Sequence, residues 1–147
     1  MSLKETLNND IKTAMKDKDK ETLAVLRMIK TAVQAAEIDK KEELNAEEEL
    51  TILAREAKQR RESLAEFVKA GRDELVAKTE AEIEIVERYL PKQLSVEEVK
   101  EVIATVAEKI GATTQKEFGK LMGAVMQELK GKADGNVIKE QVKAHLG

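Results

Sequence analysis

The only proline of the chain, Pro91, limits the fold more than any other residue. Proline cannot donate the backbone hydrogen bond of a helix interior, and it disfavours helical backbone at the residue before it. On both sides of Pro91 the apolar residues recur at the three- and four-residue spacing of amphipathic helices. We therefore expect two helical modules that meet near this proline.

The composition favours aliphatic helices in an aqueous compartment. Hydrophobic residues make up 41% of the chain but aromatic residues only 2%, so the core must consist of Leu, Ile, Val, Ala and Met. The absence of cysteine excludes disulfides, thiolate metal sites and thiol nucleophiles. The 26 basic and 29 acidic residues are typical of solvated helix faces and argue against strong DNA binding. No segment resembles a signal peptide or a membrane span, so we expect a cytoplasmic protein without membrane contact.

Capping signals mark where the helices begin and end. In a capping box, a Ser, Thr or Asn side chain and a Glu three residues later bind each other's backbone amides. Four such boxes are predicted: Ser2 with Glu5, Asn45 with Glu48, Ser95 with Glu98, and Thr114 with Glu117. Gly71, Gly111 and Gly131 each follow an apolar periodic run and can adopt the left-handed backbone of a helix end.

These signals predict seven helices and an all-α fold. The helices are expected at about residues 3–15, 20–38, 46–70, 73–90, 96–110, 115–130 and 135–146. The segment Ala81–Ile85 alternates like a strand, but it lacks a partner strand and also fits a helical stripe. We predict a larger N-terminal helical domain over residues 1–92 and a C-terminal three-helix bundle over residues 93–147.

Catalytic side chains are scarce. Ser2 and Ser95 are explained as caps, and Ser63 lies in a charged helical stretch. The only histidine, His145, is two residues from the end of the sequence and has no second imidazole to share a metal ion. Runs of glutamate are more typical of solvated helix faces than of acid–base pairs. We therefore predict no catalytic residues, no metal site and no cofactor.

Basic residues cluster in two regions. The first cluster lies in the third helix, where interleaved glutamates favour a solvated face over RNA contact: Arg55, Lys58, Arg60 and Arg61. The second lies near the end of the chain: Lys130, Lys132, Lys139 and Lys143. Glycines at 131 and 135 surround the start of the last helix, which could hold a phosphate. The other interpretation is a tight turn, with Gly131 ending one helix and Asp134 capping the next.

Two glycines, Gly119 and Gly123, stand four residues apart inside the sixth helix. Each lowers helix stability by about 1 kcal/mol relative to alanine, so an offsetting role is expected. Either another helix packs closely there, or a ligand or RNA backbone does. The sequence leaves both possibilities open.

Three motifs together resemble the GatB/YqeY family. They are Tyr89-Leu90-Pro91-Lys92-Gln93-Leu94-Ser95, Phe118-Gly119-Lys120-Leu121-Met122-Gly123, and Gly131-Lys132-Ala133-Asp134-Gly135. The resemblance implies an all-helical fold related to the C-terminal tail of the tRNA-dependent amidotransferase B subunit. In that enzyme the tail engages tRNA, and the ATP-dependent chemistry occurs in a separate domain. This chain has room for the tail alone.

The resemblance therefore implies a noncatalytic protein that associates with tRNA or with an amidotransferase complex. By homology to the whole enzyme, the chain would be classed as a glutamine-dependent carbon–nitrogen ligase. We do not expect it to have this ligase activity by itself. The expected RNA-binding residues are Lys120, Lys130, Lys132, Gly135, Lys139 and Lys143, with Gly119, Gly123 and Asp134 as further motif positions. The alternative is a helical protein–protein adaptor without RNA affinity.

Overall fold

The computed structural model describes residues 2–147, which form helices and no strand. The chain divides into two compact units, of which the first ends at Leu90 and the second begins at Pro91. The first unit contains α1 (Leu3–Lys16), α2 (Lys20–Lys40), α3 (Ala46–Lys69) and α4 (Asp73–Glu87). The second contains α5 (Val96–Ile110), a 3₁₀ turn (Gln115–Glu117), α6 (Phe118–Leu129) and α7 (Gly135–Leu146). The prediction of an all-α fold with seven α-helices is confirmed for the described residues, and Ala81–Ile85 is helical.

In the first unit, α2 packs against all three other helices, and α3 packs most extensively against α4. The aliphatic spacing of α2 places four side chains on one buried face: Val25, Leu26, Ile29 and Val33. They meet Leu7 of α1, Leu53 and Ala57 of α3, and Val86 of α4. None of the helices described in residues 2–147 is both long and apolar enough to cross a membrane.

In the second unit, α5, α6 and α7 each pack against the other two. The core is aliphatic: Val99, Ile103, Leu121, Val125, Leu129, Ile138 and Val142 are all nearly inaccessible to water. The segment after Pro91 is tied to the turn between α6 and α7. The amide N of Leu94 donates to the Lys132 carbonyl at 2.8 Å, and Gln93 Nε2 donates to the Gly131 carbonyl at 2.7 Å.

The predicted caps form at three of the four positions. Asn45–Glu48 and Ser95–Glu98 make complete reciprocal boxes, and Ser2 accepts a hydrogen bond from the Glu5 amide. The predicted box at Thr114 is wrong. The Thr114 hydroxyl makes no cap bond to a backbone amide and lies 3.3 Å from the Glu117 carboxylate, because a 3₁₀ turn precedes α6 there. The three predicted helix-ending glycines have φ between 67° and 76°, the left-handed region.

Arg60 departs from the predicted solvated face of α3. Its side chain is 8% exposed, with Nη1 3.3 Å from Glu56 Oε1 and Nε 3.3 Å from Glu82 Oε1. The Nε contact is an ion pair whose angle does not make a hydrogen bond. The guanidinium also reaches the Met28 sulfur at 3.5 Å. Arg60 is therefore part of the packing among α2, α3 and α4, where the two carboxylates balance its charge.

Candidate nucleic-acid interface

The two interior glycines of α6 face open space. A Cβ atom built on Gly119 or Gly123 would have no neighbouring atom within 4 Å, apart from the backbone of its own helix. The first of the two predicted explanations, close packing of another helix, is therefore wrong for the described residues. We call Gly119, Lys120 and Gly123 the glycine face; all three residues are exposed.

Most of the predicted RNA-binding lysines project into solvent. Lys120 lies on α6, Lys132 in the turn after it, and Lys139 and Lys143 on α7; all four are exposed. Within residues 2–147 no carboxylate lies within ion-pairing distance of these four ammonium groups. Lys130 differs, since it is half-buried and engaged with other groups. Four lysines of the second unit are thus available to an anionic partner.

The turn between α6 and α7 takes the form of the tight-turn interpretation. Gly131 has a φ of 76°, and the Asp134 side chain caps α7 by accepting from the Asn136 amide at 2.7 Å. A carboxylate oxygen therefore occupies the end of α7 where the sequence suggested a phosphate. Gly135 is the first residue of α7. In this turn the exposed Lys132 side chain is accessible to a ligand, whereas the N-terminal end of α7 is capped by Asp134.

The basic cluster of α3 is divided between exposed and paired side chains. Arg55 and Lys58 are exposed, whereas Arg61 donates to Glu87 of α4 at 2.9 Å. Together with the burial of Arg60, this pairing leaves half of the cluster unavailable for phosphate.

His145 is exposed and lines a groove of about 400 Å³ with Lys100 and Gln141. Residues 2–147 contain no group of three or more His, Cys, Asp or Glu side chains positioned to hold a metal ion. Within the described residues, His145 therefore has neither a second imidazole nor a carboxylate cluster beside it with which it could bind a metal ion.

The first unit contains a polar cleft that the sequence did not indicate. It measures about 420 Å³ and is lined by Asp10 and Asp17 of the α1 segment, Asp19 before α2, and Arg88 and Tyr89 after α4. The Tyr89 hydroxyl donates a hydrogen bond to Asp10 Oδ2. Burial, reinforced by this bond to a carboxylate, raises the pKa of Tyr89 well above its ordinary value of 10. Asp10 and Tyr89 are 79 residues apart, so only the tertiary fold of the first unit brings them together.

The fold and this surface define a class of proteins in which four helices precede a three-helix unit that carries unpaired lysines and an open glycine face. Residues 4–146 match a known family described as "Yqey-like protein". Since the match spans almost the whole sequence, the chain belongs to the YqeY family.

Several fungal proteins are similar over most of their length. They are named "Altered inheritance of mitochondria protein 41, mitochondrial". The one from Kluyveromyces lactis is 31% identical over 139 residues, covering 94% of this chain and 72% of the relative. Those from Candida glabrata and Pyrenophora tritici-repentis are 28% and 26% identical and cover 95% and 96% of this chain, with 75% and 79% of each relative covered. Their names state a mitochondrial location and name no RNA.

Proposed function

We propose that this protein is a noncatalytic tRNA-associated protein that contacts RNA through its second unit, in the manner implied by the resemblance to the amidotransferase B-subunit tail. The observation that carries the proposal is the glycine face. Gly119 and Gly123 lower the stability of α6, and nothing in the described structure packs against them. A surface without Cβ atoms lets a sugar–phosphate backbone approach a helix closely, and the adjacent Lys120 supplies a positive charge.

The chemistry of the surface suits recognition of RNA shape and charge. Lysine ammonium groups bind phosphates as point charges, and base recognition in RNA commonly uses aromatic stacking. The second unit offers one aromatic side chain, Phe118, which packs against its own core. Binding should therefore depend strongly on salt and only weakly on base sequence.

The test is a titration of labelled tRNA with the full chain between about 50 and 200 mM salt. We expect affinity to fall steeply with salt, and a variant with four charge reversals, K120E/K132E/K139E/K143E, to lose binding. A matched control, K12E/K20E/K69E/K78E, reverses four exposed lysines of the first unit and changes the net charge equally. Absence of binding at low salt, or equal loss in both variants, would overturn the proposal.

A second experiment separates function from folding at the glycine face. Because Cβ space is open at both positions, G119A and G123A should each stabilise the second unit by about 0.5 to 1 kcal/mol. If RNA approaches this face closely, the same variants should bind tRNA more weakly. A more stable protein with unchanged affinity would remove the glycine face from the interface.

One observation favours a protein–protein adaptor as a second candidate function. From Pro91 onward the second unit contains nine basic and eight acidic residues, so its net charge of +1 gives only a weak cationic field to attract RNA. Retention of amidotransferase subunits in a pull-down, together with no tRNA binding, would favour the adaptor.

We further propose that the chain has no amidotransferase activity of its own, because the resemblance is to the tail and not to the catalytic half. A glutamine-dependent transamidation assay with the purified chain should give no product. A cytosolic location remains our proposal from the sequence, whereas the fungal relatives are named as mitochondrial. Fractionation of the native host with an antibody to the chain distinguishes the two compartments.

A further inference from the structure

Ile38 is the most exposed large hydrophobic side chain in the described structure, with 75% of its surface accessible to water. It lies in the last turn of α2, within the first unit. A depression of about 490 Å³ adjoins it, lined by Lys4, Gln34, Glu37, Glu42 and Glu43. A second depression of about 450 Å³ shares four of these residues, so the two form one continuous surface that we call the acidic groove.

The charges of the acidic groove are mainly negative. Glu37 is paired with Lys4 at 3.1 Å, but Glu42 and Glu43 at the rim are exposed. The second depression adds the carboxylates of Glu5 and Glu49 and the single ammonium of Lys30. Acidic side chains therefore outnumber the basic ones that line the groove.

Two further features affect the field at this end of α2. The C-terminal end of a helix carries a partial negative charge from its unpaired carbonyls, which adds to that of the glutamates. Lys40 opposes this field, with its ammonium 2.5 Å from Glu48 and 4.0 Å from Glu42. The Lys40 ammonium also donates to the Glu43 main-chain carbonyl at 3.3 Å, but within the described residues no ammonium lies at ion-pair distance from the Glu43 carboxylate.

We propose that the acidic groove binds a basic amphipathic segment of a partner protein, with Ile38 packing against the apolar side of that segment. Charge complementarity selects lysine- or arginine-rich chemistry, and it opposes the approach of RNA phosphates. An exposed aliphatic side chain in a depression that is also lined by three glutamates matches a peptide that presents apolar and basic residues together. This site shares no residue with the proposed RNA surface, which belongs to the other unit.

The probe is a synthetic peptide of about 15 residues, with leucine and lysine placed at helical spacing and a fluorescent label. Its affinity for the full chain is measured by fluorescence anisotropy, in parallel with a peptide in which glutamate replaces lysine. We expect binding of the lysine peptide only. The groove variant I38S/E42Q/E43Q should weaken it by about tenfold, from the loss of two charge contacts and one apolar contact.

The matched control is V68S/E80Q/E84Q. It removes one exposed aliphatic side chain and two exposed carboxylates elsewhere in the same unit, so its net charge equals that of the groove variant. We expect its affinity for the peptide to remain within about twofold of the unmodified chain. Equal weakening in both variants, or no weakening in either, would overturn the proposal.

A nuclear magnetic resonance titration then locates the peptide. Amide resonances of residues 37–43 should shift on addition of the lysine peptide, and those of residues 80–84 should not. Shifts confined to other surfaces would also overturn the proposal. The groove variant should leave tRNA affinity unchanged, so failure of the groove proposal is distinguishable from failure of the RNA proposal.

Discussion

Substitution of Arg60 by methionine should destabilise the first unit by about 3 kcal/mol. Removing one partner from a buried ion pair leaves an uncompensated charge and typically lowers the unfolding free energy by about 3 to 5 kcal/mol. The Arg60 side chain is 8% exposed, and its partners Glu56 and Glu82 are 11% and 22% exposed. Water can therefore reach the stranded carboxylates in part, which places the expected loss at the low end of that range.

Tyr89 provides a local signal for this measurement. It is the only tyrosine of a chain without tryptophan, and it packs against the core of the first unit. Urea unfolding followed by tyrosine fluorescence therefore reports on that unit. At a slope of about 2 kcal/mol per molar urea, a loss of about 3 kcal/mol lowers the midpoint by about 1.5 M. Circular dichroism follows the helices of both units. The part of its transition that belongs to the second unit should keep its urea midpoint.

Two companion variants test the reasoning. R61M removes a more exposed arginine, 26% accessible, and should lower the unfolding free energy by less than about 1 kcal/mol. E56Q/R60M/E82Q removes the stranded charges together with the arginine and should recover at least half of the loss caused by R60M. An R60M loss no larger than that of R61M, or a triple variant no more stable than R60M, would show that stranded buried charge does not cause the instability of R60M.

Three further predictions concern caps and ionisable groups. In the second unit, S95A should lower the unfolding free energy by about 1 kcal/mol and T114A by less than about 0.5 kcal/mol, because only Ser95 caps a helix amide; urea unfolding compares them. The Ser95 amide and hydroxyl hold the pKa of Glu98 below its usual value of 4.5, so this carboxylate stabilises the fold above pH 4.5. That contribution is lost as the pH falls through the folded value, so the stability of E98Q should fall less steeply than that of the unmodified chain between about pH 6 and pH 3. Tyr89, whose pKa is raised, should ionise above pH 10 in the folded chain, and D10N should lower the midpoint of the tyrosinate absorbance titration; an unchanged midpoint would contradict the role of the Asp10 bond.

The capping residues and the aliphatic spacing were sufficient to predict the number of helices and most of their bounds. Asn45 and Ser95 act within three residues of themselves, and the left-handed glycines need only the backbone of their own turn, so these features are readable without tertiary contacts. Thr114 shows the limit of such patterns. Its sequence matches a capping box, but the 3₁₀ turn at residues 115–117 changes the geometry that the box requires.

The sequence by itself determined an all-helical chain, the alternation of helix starts and stops, and the candidate lysines of the second unit. Only the tertiary structure decided which polar groups are buried and which glycines are open. Arg60 looks solvated among its charged neighbours in the sequence, but in the fold it is buried and pairs with Glu82, which is distant in the sequence. Gly123 could be a packing position by its sequence, but the space around it is open. Both outcomes depend on which distant parts of the chain pack against a residue or leave it open, and helical periodicity records only which residues share a face.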